Sequence, residues 1–360
     1  MHSLYDIIVG LLVFGVIVFV HESGHYLAAR WCKVRVDVFS IGFGPAVWKW
    51  KDRVGTDWQL SAFPLGGYVR LHGFEGDSSP DHPEGNKEAF HSKPVWARAL
   101  VTVMGPVFNI VLTILLFVVI FSLYGRPEIK PEVNMVAPHS PAEQVGLQKG
   151  DNFVRFNGRK ILGAADLQSL IASHPGETVT LGIIRDNQPR DISVTLANLT
   201  QGEKHYGQLG IGFATVQASP MPVYKAIPVA IEGTGRLFAQ IFESLWQIVS
   251  GQRSPRQLAG TIGIIAMSGQ AADGGAASLL FFIAMLSANL GLINLFPVPM
   301  LDGGHLLFYG LEAIRGKPIS LKVREMALQA GFVLVIALFL FTAYNDARGL
   351  GWLKWLGVHL

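Results

Sequence analysis

The chain has 360 residues, 50% of them hydrophobic and only 15% charged. An average soluble domain carries about 25% charged residues, so this composition excludes an ordinary soluble protein and points to the membrane. A net charge of +3 is too small to imply a nucleic-acid partner, and the single cysteine, Cys32, excludes an internal disulfide or a thiolate zinc cluster. Any metal here must be held by His, Asp or Glu.

In chain order, residues 1–31 contain a first apolar run from about Ile7 to Ala29. At about 1.5 Å per residue it is roughly 34 Å long, enough for a hydrocarbon core of about 30 Å. The opening MHSLYD carries no Lys or Arg, the wrong charge for a signal peptide, while Arg30, Lys33 and Arg35 follow the run. It reads as a retained span with its start outside and its end in the cytoplasm.

Inside this span stands His21-Glu22-Ser23-Gly24-His25. On a helix, residues four apart share a face, so His21 and His25 can hold one metal ion, with Glu22 beside it as a base. A histidine pair hydrogen-bonded within a bundle is the alternative. Location argues against it. Ionisable groups near a bilayer centre cost at least about 2.5–3.5 kcal/mol each, and a divalent ion is the compensating partner that fits. Neutral imidazoles suit Zn²⁺, which lowers the pKa of a bound water toward about 7.

Residues 32–94 form a cytoplasmic loop. Within it Trp58–Phe63, Pro64-Leu65-Gly66-Gly67 and Tyr68–His72 read as strand, turn and strand, a membrane-associated hairpin over about 56–73. Residues 95–124 hold a second span, charge-free from Ala99 to Tyr124.

Residues 125–215 look like an extracytoplasmic β-rich domain, with a hairpin across Asp186-Asn187-Gln188-Pro189 and a helix from Ala164 to Ser173. Its pattern V-x-P-x-S-P-A-x-x-x-G-L-x-x-G-D, ending in Asn157-Gly158, resembles a PDZ domain, which binds extended peptides or chain ends at a sheet edge. In residues 216–276, Leu237, Ile241, Leu245 and Ile248 recur at helical spacing. That stretch is expected at the outer membrane surface or against the β-rich domain. Residues 260–270 are apolar but too short to span.

A third span fills residues 277–303, followed by a basic cytoplasmic loop, 304–325, a fourth span, 326–346, and a tail, 347–360. The basic loops after spans one and three leave both termini and the β-rich domain outside. Spans one and three then run the same way, and Asp302 falls at the depth of His21 and His25. It is the expected third ligand, with His305 as the rival. Pro297 and Pro299 break the helix just before it.

Together these residues resemble the site-2 proteases, zinc metalloproteases that cut within the membrane. HESGH matches their HExxH, Asn294-Leu-Phe-Pro297-Val-Pro299-Met-Leu301-Asp302-Gly303 their N-x-x-P-x-P-x-L-D-G, and Gly105-Pro106-Val-Phe-Asn109 their G-P-x-x-N. The closest likeness is to the bacterial regulator-of-sigma-E protease group, with one PDZ pattern where its best-studied members have two. The resemblance implies a polytopic α-helical membrane protein with an inserted PDZ domain. It implies one Zn²⁺ on His21, His25 and Asp302, with Glu22 as general base. Asn294 and Asn109 are implied near the substrate or the oxyanion, and Gly66, Gly67 and Tyr68 in a hairpin that engages an unwound substrate. The implied partners are membrane-protein substrates, trimmed anti-sigma factors or remnant signal peptides, with a peptide or chain end at the PDZ domain. The implied location is the bacterial inner membrane, with the active site near the cytoplasmic face. A metal transporter or zinc sensor would account for the ligands, but not for a base beside them or for the PDZ pattern. A silent peptide-gathering receptor would have no use for Glu22.

Overall fold

Ser3–Trp31 folds as one helix, α1, because its apolar residues surround the axis and no proline interrupts it. A computed structural model describes residues 3–74, 87–201, 204–217, 219–252, 255 and 260–349, so most of the 347–360 tail lies outside the described residues. After α1 come strands β1 (Val36–Lys51) and β2 (Asp57–Leu71), then helix α2 (Val95–Leu123). A β-rich stretch follows: β3 (Pro127–Val136), α3 (Pro141–Gln144), β4 (Asn152–Phe156), β5 (Arg159–Lys160) and α4 (Ala164–Ala172). It ends with β6 (Thr178–Arg185), β7 (Gln188–Thr195), β8 (Ala197–Gln201), β9 (Lys204–Gln208) and β10 (Ile211–Gln217). The rest is helical: α5 (Val223–Val249), α6 (Thr261–Asp273), α7 (Ala276–Asn294), α8 (Asp302–Arg315) and α9 (Leu321–Gly349). The chain divides into two compact units, Met1–Ser122 with Pro222–Leu360, and Leu123–Met221.

In the first unit, α1, α2, α7 and α9 are the four helices, among the described residues, long and apolar enough to cross a membrane. Helices α1 and α2 touch backbone to backbone, since a β-carbon on Gly24 would collide with the Met104 carbonyl. Helix α6 packs antiparallel on α1, with Gly10 beside Ile265 and Ser268, and Gly269 beside Asp6. Helix α5 touches two other elements of this unit. Gly233 lies beside Phe117 of α2, and Phe242 meets Phe296 edge-on at 5.7 Å, just beyond the end of α7.

The two strands between α1 and α2 also pair differently from the expected hairpin. Residues 57–71 are one bent strand, and the stretch expected as a turn is a bend within it, Gly66 having φ +115°. Residues 38–41 of β1 pair with 67–70 on one side and with 57–60 on the other; 46–51 pair with the outer side of 57–61. Strand β1, with bends at Gly42 and Gly44, is the partner that the sequence did not declare. Asp52 anchors the hairpin turn: its carboxylate accepts from the N–H groups of Val54 and Thr56, from Trp58 Nε1 and from the Tyr26 hydroxyl of α1.

In the second unit the strands order β10-β3-β4-β6-β7, with β5 on β4 and a separate β8-β9 ribbon. Asp186 and Asn187 join β6 to β7 with φ of +51° and +60°, the two left-handed residues that a tight hairpin turn requires. Ser140 caps α3, its hydroxyl accepting from the Glu143 N–H while the Glu143 carboxylate accepts from the His139 N–H. Val133, Phe153, Leu167, Leu181, Ile183 and Leu209 form the core with α4. Full burial of each larger side chain contributes about 1.5–3 kcal/mol.

Candidate active site

The site is assembled inside the first unit, from α1, α2, the β2 edge and the turn between α7 and α8. Helical spacing puts His21 and His25 on one face of α1, their Nε2 atoms 3.2 Å apart. Asp302, the first residue of α8, points its carboxylate at both: Oδ2 lies 3.3 Å from His21 Nε2 and Oδ1 3.6 Å from His25 Nε2. Metal bonds of about 2.0–2.1 Å in a tetrahedron put neighbouring ligand atoms about 3.3 Å apart. The three observed separations fit one ion held by these atoms. His305 is the rival that the geometry leaves out; its ring stands against Phe74 and Phe308, outside the group formed by His21, His25 and Asp302.

Each ligand is aimed from behind. Val101 O lies 2.9 Å from His25 Nδ1 and accepts its proton, which leaves Nε2 free for metal. Gly105 makes room for that ring, since a β-carbon there would collide with it. Asn109, fully buried, stands 3.3 Å from His21 Nδ1. Asp302 is delivered by the turn that the two prolines open. The turn folds back over the start of α8, where β-carbons on Gly303 and Gly304 would strike the carbonyls of Leu295, Phe296 and Val298. Met300 closes it at φ +83°.

His21, His25, Asp302, Val101 and Met300 line a cavity of about 250 Å³ together with Glu22, Asn294, Gly67, Tyr68 and Val69. Glu22 follows His21 by one residue and so stands beside the ligand pair. Gly67 packs against it, a β-carbon there lying 3.4 Å from Glu22 Cγ. Asn294 Nδ2 is 3.4 Å from His21 Nε2, on the cavity side. Tyr68 accepts a hydrogen bond from Gln59 Nε2. Gly66 is not on the cavity wall; it packs on the Phe43 ring, where a β-carbon would clash. Asn109 is not on the wall either. The Val101 carbonyl, Val69 and Met300 belong to the site and carry no sequence signature. Gly24 and Gly105 did have a signal, as the only side-chain-free positions in HESGH and G-P-x-x-N.

A His-His-Asp group that could hold a metal ion, a neighbouring carboxylate and a polar cavity, among helices long and apolar enough to cross a membrane, fit a metal-dependent hydrolase of the membrane. Comparison with known proteins makes the class specific: residues 9–338 match peptidase family M50, and the chain belongs to it. It is 39% identical over 356 residues to a candidate zinc metalloprotease of Brucella suis, covering 93% of each chain. A counterpart in Mesorhizobium japonicum is 38% identical over 359 residues, covering 94% of this chain and 97% of the relative. Metalloprotease MmpA of Caulobacter vibrioides is 32% identical over 383 residues, covering 96% of each. The protein is a zinc metalloprotease of the site-2 protease family, and Zn²⁺ is the ion that the His-His-Asp group fits.

Proposed function

We propose that this protease cleaves the membrane-spanning segments of single-span substrates, in regulated intramembrane proteolysis at a bacterial inner membrane. One observation carries the reading. Gly67 to Val69 of β2 line the same cavity as His21, Glu22, His25 and Asp302; they pair with Ile41 to Phe39 of β1 on one side, and among the described residues no strand pairs with them on the other. A transmembrane helix conceals its peptide bonds, and opening it in lipid leaves donors and acceptors that cost several kcal/mol each. Adding the opened segment as a strand on β2 replaces those bonds beside the ligands.

Held by His21, His25 and Asp302, zinc would supply the Lewis acidity that makes the scissile carbonyl electrophilic and a water acidic near neutral pH. Glu22 takes the water's proton and returns it to the leaving amine. Asn294 donates from Nδ2 to the carbonyl oxygen as negative charge develops there.

Basic residues after α1 and α8 support a cytoplasmic site, with termini and second unit outside. Trimmed anti-sigma factors and remnant signal peptides are substrates with the required single span. The PDZ reading of the second unit is supported by a groove of about 310 Å³ between Gln168 and Ile171 of α4 and Leu209–Phe213. A peptide or chain end would lie there against β10.

The test uses purified protein and a single-span substrate whose scissile bond is read by mass spectrometry. The parent is expected to cut inside the span, and Glu22→Gln to lose about 10²–10⁴-fold of the rate while still binding zinc. Cleavage confined to residues outside the span overturns the proposal.

A further inference from the structure

Asn109 is buried without contact to the cavity, yet it touches a metal ligand. Its Nδ2 lies 3.3 Å from His21 Nδ1, and its Oδ1, equally buried, has no hydrogen-bond partner. A metal on His21 Nε2 requires the ring's proton to sit on Nδ1, and that N–H then needs an acceptor. The acceptor within reach is the Asn109 amide, and a half-turn of that amide exchanges Nδ2 for the unpartnered Oδ1.

The backbone behind this amide is held in turn. The Asn109 carbonyl accepts from Thr113 Oγ1 at 2.9 Å and from Ser287 Oγ of α7, also at 2.9 Å. Thr113 Oγ1 also lies 3.2 Å from the Ala284 carbonyl, and Gly291 faces Asn109, where a β-carbon would come 3.2 Å from its own. Thr113, Asn109 and Ser287 are all fully buried. Hydroxyls from two helices therefore fix the residue that stands behind His21, across an interface in which a buried polar group without partners would be costly.

We infer that Asn109 is a positioning residue for the metal: its side-chain oxygen accepts the His21 Nδ1–H, which aims Nε2 at the zinc, while Thr113 and Ser287 clamp Asn109 in place. The inference rests on His21 as a zinc ligand, so parent zinc binding is the control. His25 has the equivalent acceptor in a backbone carbonyl, Val101; His21 has it in a replaceable side chain.

The test is zinc affinity by chelator competition on the purified full-length protein. Asn109→Leu, close in size but without an acceptor, is expected to lose about 10–100-fold in affinity. Asn109→Asp, which keeps an acceptor at the same reach, is expected to stay within a few-fold of the parent. Equal losses in the Leu and Asp variants overturn the inference. Should the Leu variant fail to fold, a second measurement needs no variant at residue 109: in parent protein with ¹⁵N-labelled histidine and bound zinc, the His21 Nδ1 is expected to carry a slowly exchanging proton. An unprotonated Nδ1 there also overturns it.

Discussion

Gly105 lies against the imidazole of His25, so close that a β-carbon on residue 105 would overlap the ring at Nε2, the atom that faces His21 and Asp302. The ring has little freedom to yield, because its Nδ1 is tied to the Val101 carbonyl one turn earlier on the same helix. Gly105→Ala should therefore displace a ligand rather than merely crowd the core. Overpacking of this kind costs about 1–3 kcal/mol, so the variant should fold with reduced zinc content and little proteolysis. Metal analysis beside a cleavage assay checks it; full zinc occupancy with full activity would contradict this account of the contact.

Asp302 and His305 share one face of α8, and only the first joins the histidine pair. Asp302→Ala is expected to abolish stoichiometric zinc binding. His305→Ala should keep the ion, since its ring packs on Phe74 and Phe308. Equilibrium dialysis of the two variants separates them. Zinc lost from His305→Ala but kept in Asp302→Ala would reverse the assignment of the third ligand.

Gly67 offers a way to disturb substrate engagement without touching a ligand. A side chain there would meet the Ser40 carbonyl at 2.7 Å, Val18 Cγ1 at 2.8 Å and Glu22 Cγ at 3.4 Å. Gly67→Val should push the β2 edge off α1, lowering cleavage of a helical substrate by at least about tenfold, or 1.4 kcal/mol of barrier. Zinc affinity should stay at the parental value. A variant that cuts at the normal rate would remove the β2 edge from the mechanism.

What could be read from the residues depended on how local the physics is. His21 and His25 belong to one helix, so spacing alone puts them on one face, and charge asymmetry brought Asp302 to their depth. The Asp186-Asn187 turn was legible for the same reason, since its chemistry sits in adjacent residues. Strand β1 was not, because glycines and a proline interrupt Gly42–Ala46 and its register against β2 shifts repeatedly, so no simple alternation runs along it. Nor was the position of Asn109, whose partners are 88 and 178 residues away. The family resemblance implied it near the substrate or the oxyanion; in the structure its amide stands 3.3 Å from His21 Nδ1, off the cavity wall, one turn after Gly105, which packs on the His25 ring.

The second unit contains a titration that can be tested apart from the chemistry. Asp151 is 1% exposed and takes two hydrogen bonds of 2.6 Å from Arg185, one at each carboxylate oxygen, plus one from the Gln148 N–H. Burial by itself would raise its pKa, but these bonds and the Arg185 charge hold the carboxyl below its ordinary range. A carboxylate whose folded pKa is depressed stabilises the fold fully above its unfolded pKa, about 3.9. That contribution drains away as pH falls from there through the folded value. Asp151 joins β4 to the end of β6, so hydrogen exchange in those strands, corrected for intrinsic rates, should accelerate as the pH is lowered below about 4. Asp151→Asn leaves a largely buried guanidinium without its counter-charge and should cost about 3 kcal/mol at neutral pH, with a flatter acid dependence. Zinc affinity should be unchanged, since no ligand lies in this unit. Parental exchange that ignores pH over this range, or an Asn variant as stable as the parent, would show that the pair contributes nothing net to the fold.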